Sequence, residues 1–334
     1  MQVSDGFVVA IGASAGGVEA LLELGAWLPG RFAAPICIVQ HIGTHASLLP
    51  DLLRARGRNR AVHAVDGSTL EPGTLYVAPP DHHMLVDGPV VRIGRGPKEN
   101  HTRPAIDPLF RSVAATWGPR AVGVVLTGHL DDGTVGLKAI KECGGTAVVQ
   151  DPATAAEPEM PANALRNVQV DHCVSLQQMP RLLQDLVGRA PASPLHVPAH
   201  IAREFAINQG DRSMDNLAAI AELSPLTCPD CGGGLWEVND ERPLRYRCHT
   251  GHAFTAATLE QAQLEGVETT FRSGVRALRE RELLLRRLAN VAQAAGDTAQ
   301  AAAGHAQADR VRRRIDELLG AVEEQPAALP HGPA

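Results

Sequence analysis

The chain has 334 residues, a formal net charge of −6 at pH 7, and only 3% aromatic residues. With 44% hydrophobic and 20% charged residues it is ordinary globular material, which excludes a wholly disordered chain. The acidic balance argues against nucleic-acid binding, and the absence of an apolar run of about 18 residues argues against membrane insertion.

In chain order, apolar and β-branched runs recur at Phe7–Ile11, Ile36–Val39, Thr74–Val77, Val90–Ile93, Ala121–Leu126, Thr146–Val149 and His172–Val174. Helical spacing falls between several of them, at Val18–Leu28, Pro108–Thr116 and Thr134–Cys143. Short runs that are apolar on both faces, alternating with helices, predict an α/β domain over residues 1–190. Its core would be a doubly wound, mostly parallel sheet flanked by helices, with the ligand site beyond the carboxyl ends of the strands. Pro191, Pro194 and Pro198 then interrupt regular structure, which predicts a linker over 191–224. A small cysteine-bearing β module is expected at 225–256, and C-terminal α-helices over 257–324, broken near Gly296–Asp297. The tail 325–334 holds three prolines and is expected to lack regular structure.

The first strand runs into Gly12-Ala13-Ser14-Ala15-Gly16-Gly17, and a helix leaves it. As a dinucleotide cradle this turn is poor, because Ser14 takes the central glycine position and no acidic residue follows about 20 positions on. As G-x-S-x-G it fits a turn that exposes a serine nucleophile. Backbone N–H groups at the helix start, Ala15 and Gly16, would then face a developing oxyanion. The plainer reading is a tight turn whose serine caps the helix. A nucleophilic serine needs a base and an orienting acid. The second strand ends in Gln40-His41, and the fifth run ends in Thr127-Gly128-His129-Leu130-Asp131-Asp132. Neighbouring parallel strands would bring His41 and these carboxylates to the rim that holds Ser14. Cys37, Cys143 and Cys173 have no C-x-x-C partner and read as small core residues.

Farther on, Cys228-x₂-Cys231 is followed, after 16 residues, by Cys248-x₃-His252. Thiolates and imidazole at this spacing suit a tetrahedral structural zinc in a zinc-ribbon-like module, with His249 as the competing fourth ligand. Leu235–Val238 and Leu244–Arg247 predict a short hairpin between the two halves. In the C-terminal helices, Leu278, Leu284, Leu285, Leu288 and Val291 form one apolar stripe, and Ile315, Leu318, Leu319 and Val322 form another. They suit a self-covering helical hairpin, or else a dimerisation or receptor-docking coiled coil.

Taken together, Ile11–Glu19 (IGASAGGVE), Val39–Ile42 (VQHI), Gly73–Pro79 (GTLYVAP), His101–Phe110 (HTRPAIDPLF), Val124–Gly133 (VVLTGHLDDG) and Met160–Ala164 (MPANA) resemble the catalytic domain of the CheB-type protein-glutamate methylesterases of chemotaxis. The resemblance covers about residues 7–188. It implies a hydrolase with Ser14 as nucleophile, His41 as general base and Asp132 as the acid that orients it. The implied reaction is demethylation of glutamate methyl esters on chemoreceptors with release of methanol, extending in family members to deamidation of glutamine. The expected partners are methylated chemoreceptor helices, with a methyltransferase or other chemosensory proteins beside them. No cofactor is expected for catalysis, and the expected location is the cytoplasm, since Met1–Phe7 has no basic n-region and the six cysteines read as reduced.

His129 and Leu130 stand where the family usually has methionine and glycine, Ala15 replaces a threonine, and Pro158-Glu159 replaces a glycine. His129 would supply an oxyanion donor through its backbone, and Arg103 would steer an acidic receptor helix or remain a solvated loop arginine. Only six residues precede the first strand, against the roughly 120 of a phosphoacceptor receiver domain, so no gating in cis by phosphorylation is expected. Two rival readings stand beside the esterase: a non-catalytic receptor-binding or methyltransferase-binding module, and a serine esterase for another methyl ester.

Overall fold

The computed structural model describes residues 6–43, 45–189, 194–211, 213–239 and 242–323. Two compact units divide the chain between Gln261 and Ala262.

The first unit opens with β1 (Val8–Ala13), α1 (Gly17–Trp27), β2 (Ile36–Gln40), α2 (Leu49–Arg56), β3 (Arg60–His63) and β4 (Thr74–Val77). A hairpin, β5 (His83–Asp87) and β6 (Val90–Gly94), leads to α3 (Ile106–Trp117). There follow β7 (Ala121–Val125), α4 (Thr134–Glu142), β8 (Thr146–Gln150), α5 (Glu159–Asn167), β9 (His172–Val174) and α6 (Met179–Val187). Seven strands form one parallel sheet in the order β3-β4-β2-β1-β7-β8-β9. Its strands are apolar throughout because both faces are covered. Val8 and Ala10 of β1 join one core with Cys37, Val39, Phe110 and Leu137, whereas Val9 and Ile11 join the opposite core with Leu21, Leu24, Ile36 and Ile38. This alternation is the two-residue period of a strand read from both sides.

The chain leaves β1 toward β2 on one side and returns at β7 on the other. That reversal is the point where open α/β sheets leave a crevice beyond the strand ends.

The run Val90–Ile93 was expected with the parallel strands, but it pairs antiparallel with β5 outside the main sheet. Only Gly88 and Pro89 separate the two strands, which suffices for a hairpin and is far too short for a parallel crossover. The stretch 191–224 carries helices: α7 (Ala199–Asn208) and α8 (Met214–Ala218), then β10 (Ala221–Thr227). Ile201, Glu204 and Leu217 are buried there, so this segment is packed. With β11 (Gly234–Val238), β12 (Arg245–Cys248) and β13 (Ala253–Thr255), β10 forms a four-stranded antiparallel sheet in chain order. Its small core contains Cys228, Leu235, Tyr246, Cys248, Phe254 and Leu259.

The second unit consists of most of α9 (Ala256–Ala294) and all of α10 (Thr298–Glu323). The break falls at Gly296, whose φ of 84° ends α9, and the Asp297 carboxylate caps α10 by accepting from Gln300 N–H at 2.9 Å. The buried apolar positions of the hairpin are small or branched: Ala262, Val275, Ala289, Ala292, Ala301, Ala308 and Ile315, with the charged Glu282 buried among them. Leu284, Leu288 and Val291 are exposed. The leucine stripe is therefore not the seam, because close approach at Gly304 and Ala289 turns the alanine faces inward. The tail 325–334 lies outside the described residues.

Candidate active site and metal cluster

Ser14 follows β1 directly. Its N–H donates to Thr127 O at 3.0 Å, and its own carbonyl accepts from Gln40 Nε2 at 2.8 Å. Thr127 Oγ1 donates to Ala15 O at 2.9 Å, so the strands on both sides of β1 pin the turn. Gly16 completes it at φ 72°, a left-handed conformation that glycine adopts without a Cβ penalty. At Gly128 a Cβ would stand 2.7 Å from Ser14 Cβ, so the approach to the serine requires glycine.

His41 follows β2, where its N–H continues the ladder by donating to Ala13 O at 3.1 Å. Its ring lies between two partners: Nδ1 is 3.1 Å from Ser14 Oγ, and Nε2 is 2.8 Å from Asp132 Oδ2. An ionised Asp132 accepts from Nε2–H, which leaves Nδ1 free to accept the serine proton. The ring is thus turned end for end relative to the template in which Nδ1 faces the acid, with the same division of roles.

Asp132 is buried and receives five donors. Oδ2 accepts from His41 Nε2 and Ile106 N–H, and Oδ1 accepts from Asn100 Nδ2, Asp107 N–H and Gly133 N–H. Two of these donors are the first amides of α3, where the helix presents unpaired N–H groups to a negative charge. Asp107 lies beside it, bonded to Asn100 Nδ2 at 3.0 Å and to Gly136 N–H at 2.7 Å. Burial pushes both carboxyls up. The hydrogen bond and charge of His41, with the Ile106 and Asn100 donors, bring Asp132 back below its ordinary range. Asp107, facing the Asp132 charge, stays well above its own. Two neighbouring carboxylates whose affinities for protons are driven apart are common in sites where one must stay ionised.

Among the described residues, the backbone N–H groups of Ala15, Gly16 and His129 donate to no protein group. The His129 side chain is exposed and stands 3.6 to 3.7 Å from the carboxylates of Glu159 and Glu157. Leu130 takes φ 61°, the conformation that glycine enters freely, and Asn163 Nδ2 holds its carbonyl at 2.6 Å. The leucine is accommodated in the turn. Arg103 lines the mouth of the crevice with His41, His101 and Lys98 around a cavity of about 270 Å³. Its guanidinium is spent on Asp81 Oδ1, at 2.7 and 2.9 Å, and on Gly96 O at 2.8 Å. These bonds tie the loop down, and the side chain stays about one-fifth exposed at the cavity.

Sequence reasoning singled out Ser14, His41 and Asp132 and missed Asn100 and Asp107. Asp107 stood in plain sight within HTRPAIDPLF. Asn100 carries no signal short of the fold, because its partners come from residues up to 158 positions away.

Asp131, next to the proposed acid, is 6% exposed and accepts from Thr255 Oγ1 at 2.8 Å. Burial raises its pKa to about 6. A raised carboxyl contributes stability at low pH that is lost as pH rises through its folded pKa. Asp131→Asn is therefore expected to match the wild type near pH 4 and to exceed it above pH 6, by up to about 3 kcal/mol. Thermal unfolding across pH 4–8 measures the gap; a gap that does not widen with pH contradicts this placement of the charge.

In the four-stranded sheet, Cys228, Cys231, Cys248 and His252 bring their ligand atoms within 4.8 Å of one another, and His249 is not part of the group. Cys231 Sγ lies 3.7 Å from Cys248 Sγ, and His252 Nδ1 lies 3.5 Å from Cys248 Sγ and 3.8 Å from Cys228 Sγ. A tetrahedron with metal–sulfur bonds of about 2.3 Å has sulfur–sulfur edges of about 3.8 Å, so the donors fit a divalent metal such as zinc. Asp230 Oδ2 is buried without a hydrogen-bond partner, 4.0 Å from His252 Nε2, in the outer position a metal-bound imidazole uses.

The family model for CheB methylesterase matches residues 9–183. A putative protein-glutamate methylesterase/protein-glutamine glutaminase of Leptospira interrogans is 38% identical over 180 residues, covering 52% of this chain and 91% of that protein. A protein-glutamate methylesterase/protein-glutamine glutaminase of Anaeromyxobacter dehalogenans is 38% identical over 180 residues, covering 54% of this chain and about half of that longer relative. Among solved structures, the CheB methylesterase catalytic domain of Thermotoga maritima superposes with a TM-score of 0.52 at 31% identity, covering 55% of this chain and 99% of that one.

Proposed function

The chain belongs to the CheB methylesterase family, and on that premise we propose that it hydrolyses the γ-methyl esters of glutamate side chains in methylated chemoreceptor helices. The observation that carries this reading is the hydrogen-bonded line from Ser14 Oγ through His41 to Asp132 at the crevice above the sheet. In the first half-reaction Ser14 Oγ bonds to the ester carbonyl carbon, and its proton passes to His41 Nδ1. The carbonyl oxygen gathers the negative charge, and the unpaired N–H groups of Ala15 and His129 are the candidates to receive it. As the bond to the methoxy oxygen breaks, His41 returns the proton and methanol leaves. Water then attacks the glutamyl ester by the same route and frees the receptor carboxylate and Ser14. Asp132 holds the ring tautomer and supports the imidazolium without taking its proton. The same steps on a glutamine side chain would release ammonia, in keeping with the glutaminase half of the relatives' names.

The cytoplasmic helices of receptors would place the protein in the cytoplasm; among the described residues no helix is long and apolar enough to cross a membrane. The test is methanol release from methylated receptor membranes. Methanol that appears with wild type and ceases in Ser14→Ala supports the reading. No methanol from several receptor preparations favours a binding module, and release only from small methyl esters favours an esterase of another substrate.

We also assign zinc to Cys228, Cys231, Cys248 and His252, where it would cross-link the two halves of the small sheet. All four positions would be filled by protein, so the metal would supply structure and no reaction step. Native protein is expected to carry about one zinc per chain and to lose thermal stability when a chelator removes it. Less than about half an equivalent in elemental analysis contradicts the site.

A further inference from the structure

The small C-terminal sheet touches the candidate active site. β13 lies alongside the loop that precedes α3: Glu99 and Ala253 form a parallel bridge, and Asn100 N–H donates to Ala253 O at 2.8 Å. Asn100 sits at this seam, 6% exposed. On one side its Nδ2 donates to Asp132 Oδ1 at 2.9 Å and to Asp107 Oδ2 at 3.0 Å. On the other its Oδ1 accepts from Thr255 N–H at 3.2 Å and from Thr258 Oγ1 at 3.1 Å. Two donated and two accepted bonds exhaust the amide. Thr255 and Thr258 are themselves hydrogen-bonded at 3.0 Å, and both are buried.

The direction of these bonds matters more than their number. Thr255 N–H is a fixed donor, so it forces the oxygen end of the Asn100 amide toward the small sheet. The nitrogen end must then face Asp132, which is the orientation an ionised carboxylate needs. A second tether runs from the metal cluster: Asp230, between Cys228 and Cys231, lies 3.0 Å from Nδ1 of His101, at the mouth of the crevice.

Resting on the reading of Ser14, His41 and Asp132 as a hydrolytic triad, we propose that this C-terminal module is a working part of the esterase, with the Thr255 backbone N–H and the Thr258 hydroxyl as the positioning groups that hold Asp132 through Asn100. The small sheet and the first turn of α9 thus complete a site whose reacting groups all come from the sheet domain.

The experiment compares full-length wild type with Thr258→Val and Thr258→Ser variants; Thr255 is left in place, because its contact to Asn100 is a backbone N–H and its hydroxyl donates to Asp131. Three readouts are used: steady-state methanol release, the rate at which a fluorophosphonate modifies Ser14, and the downfield proton of the His41–Asp132 hydrogen bond. That proton is identified by its absence in Asp132→Asn. Valine removes the Thr258 hydroxyl at nearly constant shape, and about one lost hydrogen bond corresponds to about a tenfold loss of rate. The expected result is kcat and phosphonate reactivity down about tenfold, KM within twofold, the downfield proton shifted, and all three restored by serine. A general loosening of the fold would lower thermal stability and raise KM without this split. Wild-type rates and an unmoved proton in a folded valine variant overturn the proposal. A valine variant that fails to fold shifts the decision to the serine variant, where loss of rate with the hydroxyl present also overturns it. Should wild-type Ser14 ignore both ester and phosphonate, the hydrolytic reading itself fails, and the proton readout still reports whether the module holds Asp132.

Discussion

Ser14→Ala is expected to lower methyl-ester hydrolysis by about 10⁴- to 10⁶-fold, Asp132→Asn by about 10⁴-fold, and the double variant no further than Ser14→Ala alone. The serine loss removes the atom that bonds to the substrate, so His41 and Asp132 are left with nothing to activate. The Asp132→Asn loss follows from the donors that surround this side chain. The Oδ2 side faces His41 Nε2 and Ile106 N–H, and the Oδ1 side faces Asn100 Nδ2, Asp107 N–H and Gly133 N–H. An amide nitrogen turned toward the second side would meet three donors. Turned toward the first it meets only Ile106 N–H, provided that the imidazole changes tautomer and accepts at Nε2. That arrangement wins, and it leaves the ring proton on Nδ1, facing Ser14, where an acceptor is required. The variant should therefore fold, keep its affinity for receptor, and lose kcat. Methanol release at saturating receptor measures it. An Asp132→Asn variant within tenfold of wild type would show that something else orients the ring, and a double variant well below Ser14→Ala would show that the two residues act independently.

Ser14 and His41 were legible in the sequence because each follows an apolar strand, and a parallel sheet carries strand ends to one rim, whereas Asp132 was picked from the Asp131–Asp132 pair only through the family resemblance. The residues that hold the Asp132 carboxylate were not. Asn100 sits in a loop without periodicity, and half of its side-chain hydrogen bonds are made to Thr255 and Thr258, in and just after a separate sheet far along the chain. The β5–β6 hairpin was misplaced for a related reason. Val90–Ile93 has the composition of a buried strand, and only the short Gly88–Pro89 connection says which partner it takes. The Cys/His cluster was legible because its spacing is itself the geometry of a metal site. In the C-terminal hairpin, the leucine stripe misled because side-chain size suggests a seam, whereas close helix approach at Ala289 and Gly304 selects small residues. Charge partners were the least legible. Arg247 meets Glu99 across 148 positions, and no local pattern records such a pairing.

That pairing belongs to a buried cluster whose disruption should cost the most stability. Arg111 of α3, Arg245 and Arg247 of β12, Glu99 and Glu204 of α7 are each no more than 7% exposed. Arg245 grips Glu204 through two bonds of 2.9 and 3.0 Å, and Arg247 bridges Glu204 and Glu99 at 3.2 and 2.9 Å. Burial alone would raise both carboxyls, but the arginines reverse it, bringing Glu99 to about 2 and Glu204 well below its ordinary value. Three guanidiniums already share two carboxylates, and Arg247 Nε has no partner. Glu204→Ala would leave them with Glu99 and a void, so the expected loss is about 3–5 kcal/mol, roughly 10 °C in Tm for a unit of this size. The cluster joins α3, α7 and the small sheet, so the loss should loosen the seam that carries Asn100. Added salt should restore little, because buried charges are screened weakly. Glu71→Ala, which breaks an exposed pair with Arg60, serves as the control that leaves Tm unchanged. Since the folded carboxyls titrate below their unfolded values, their contribution is complete above the ordinary glutamate pKa and is lost as pH falls through the folded values. The gap between wild type and Glu204→Ala should accordingly be widest near neutral pH and narrow in acid. A Tm within about 2 °C of wild type at pH 7 would mean that water reaches these charges and that the cluster does not hold the two sheets together.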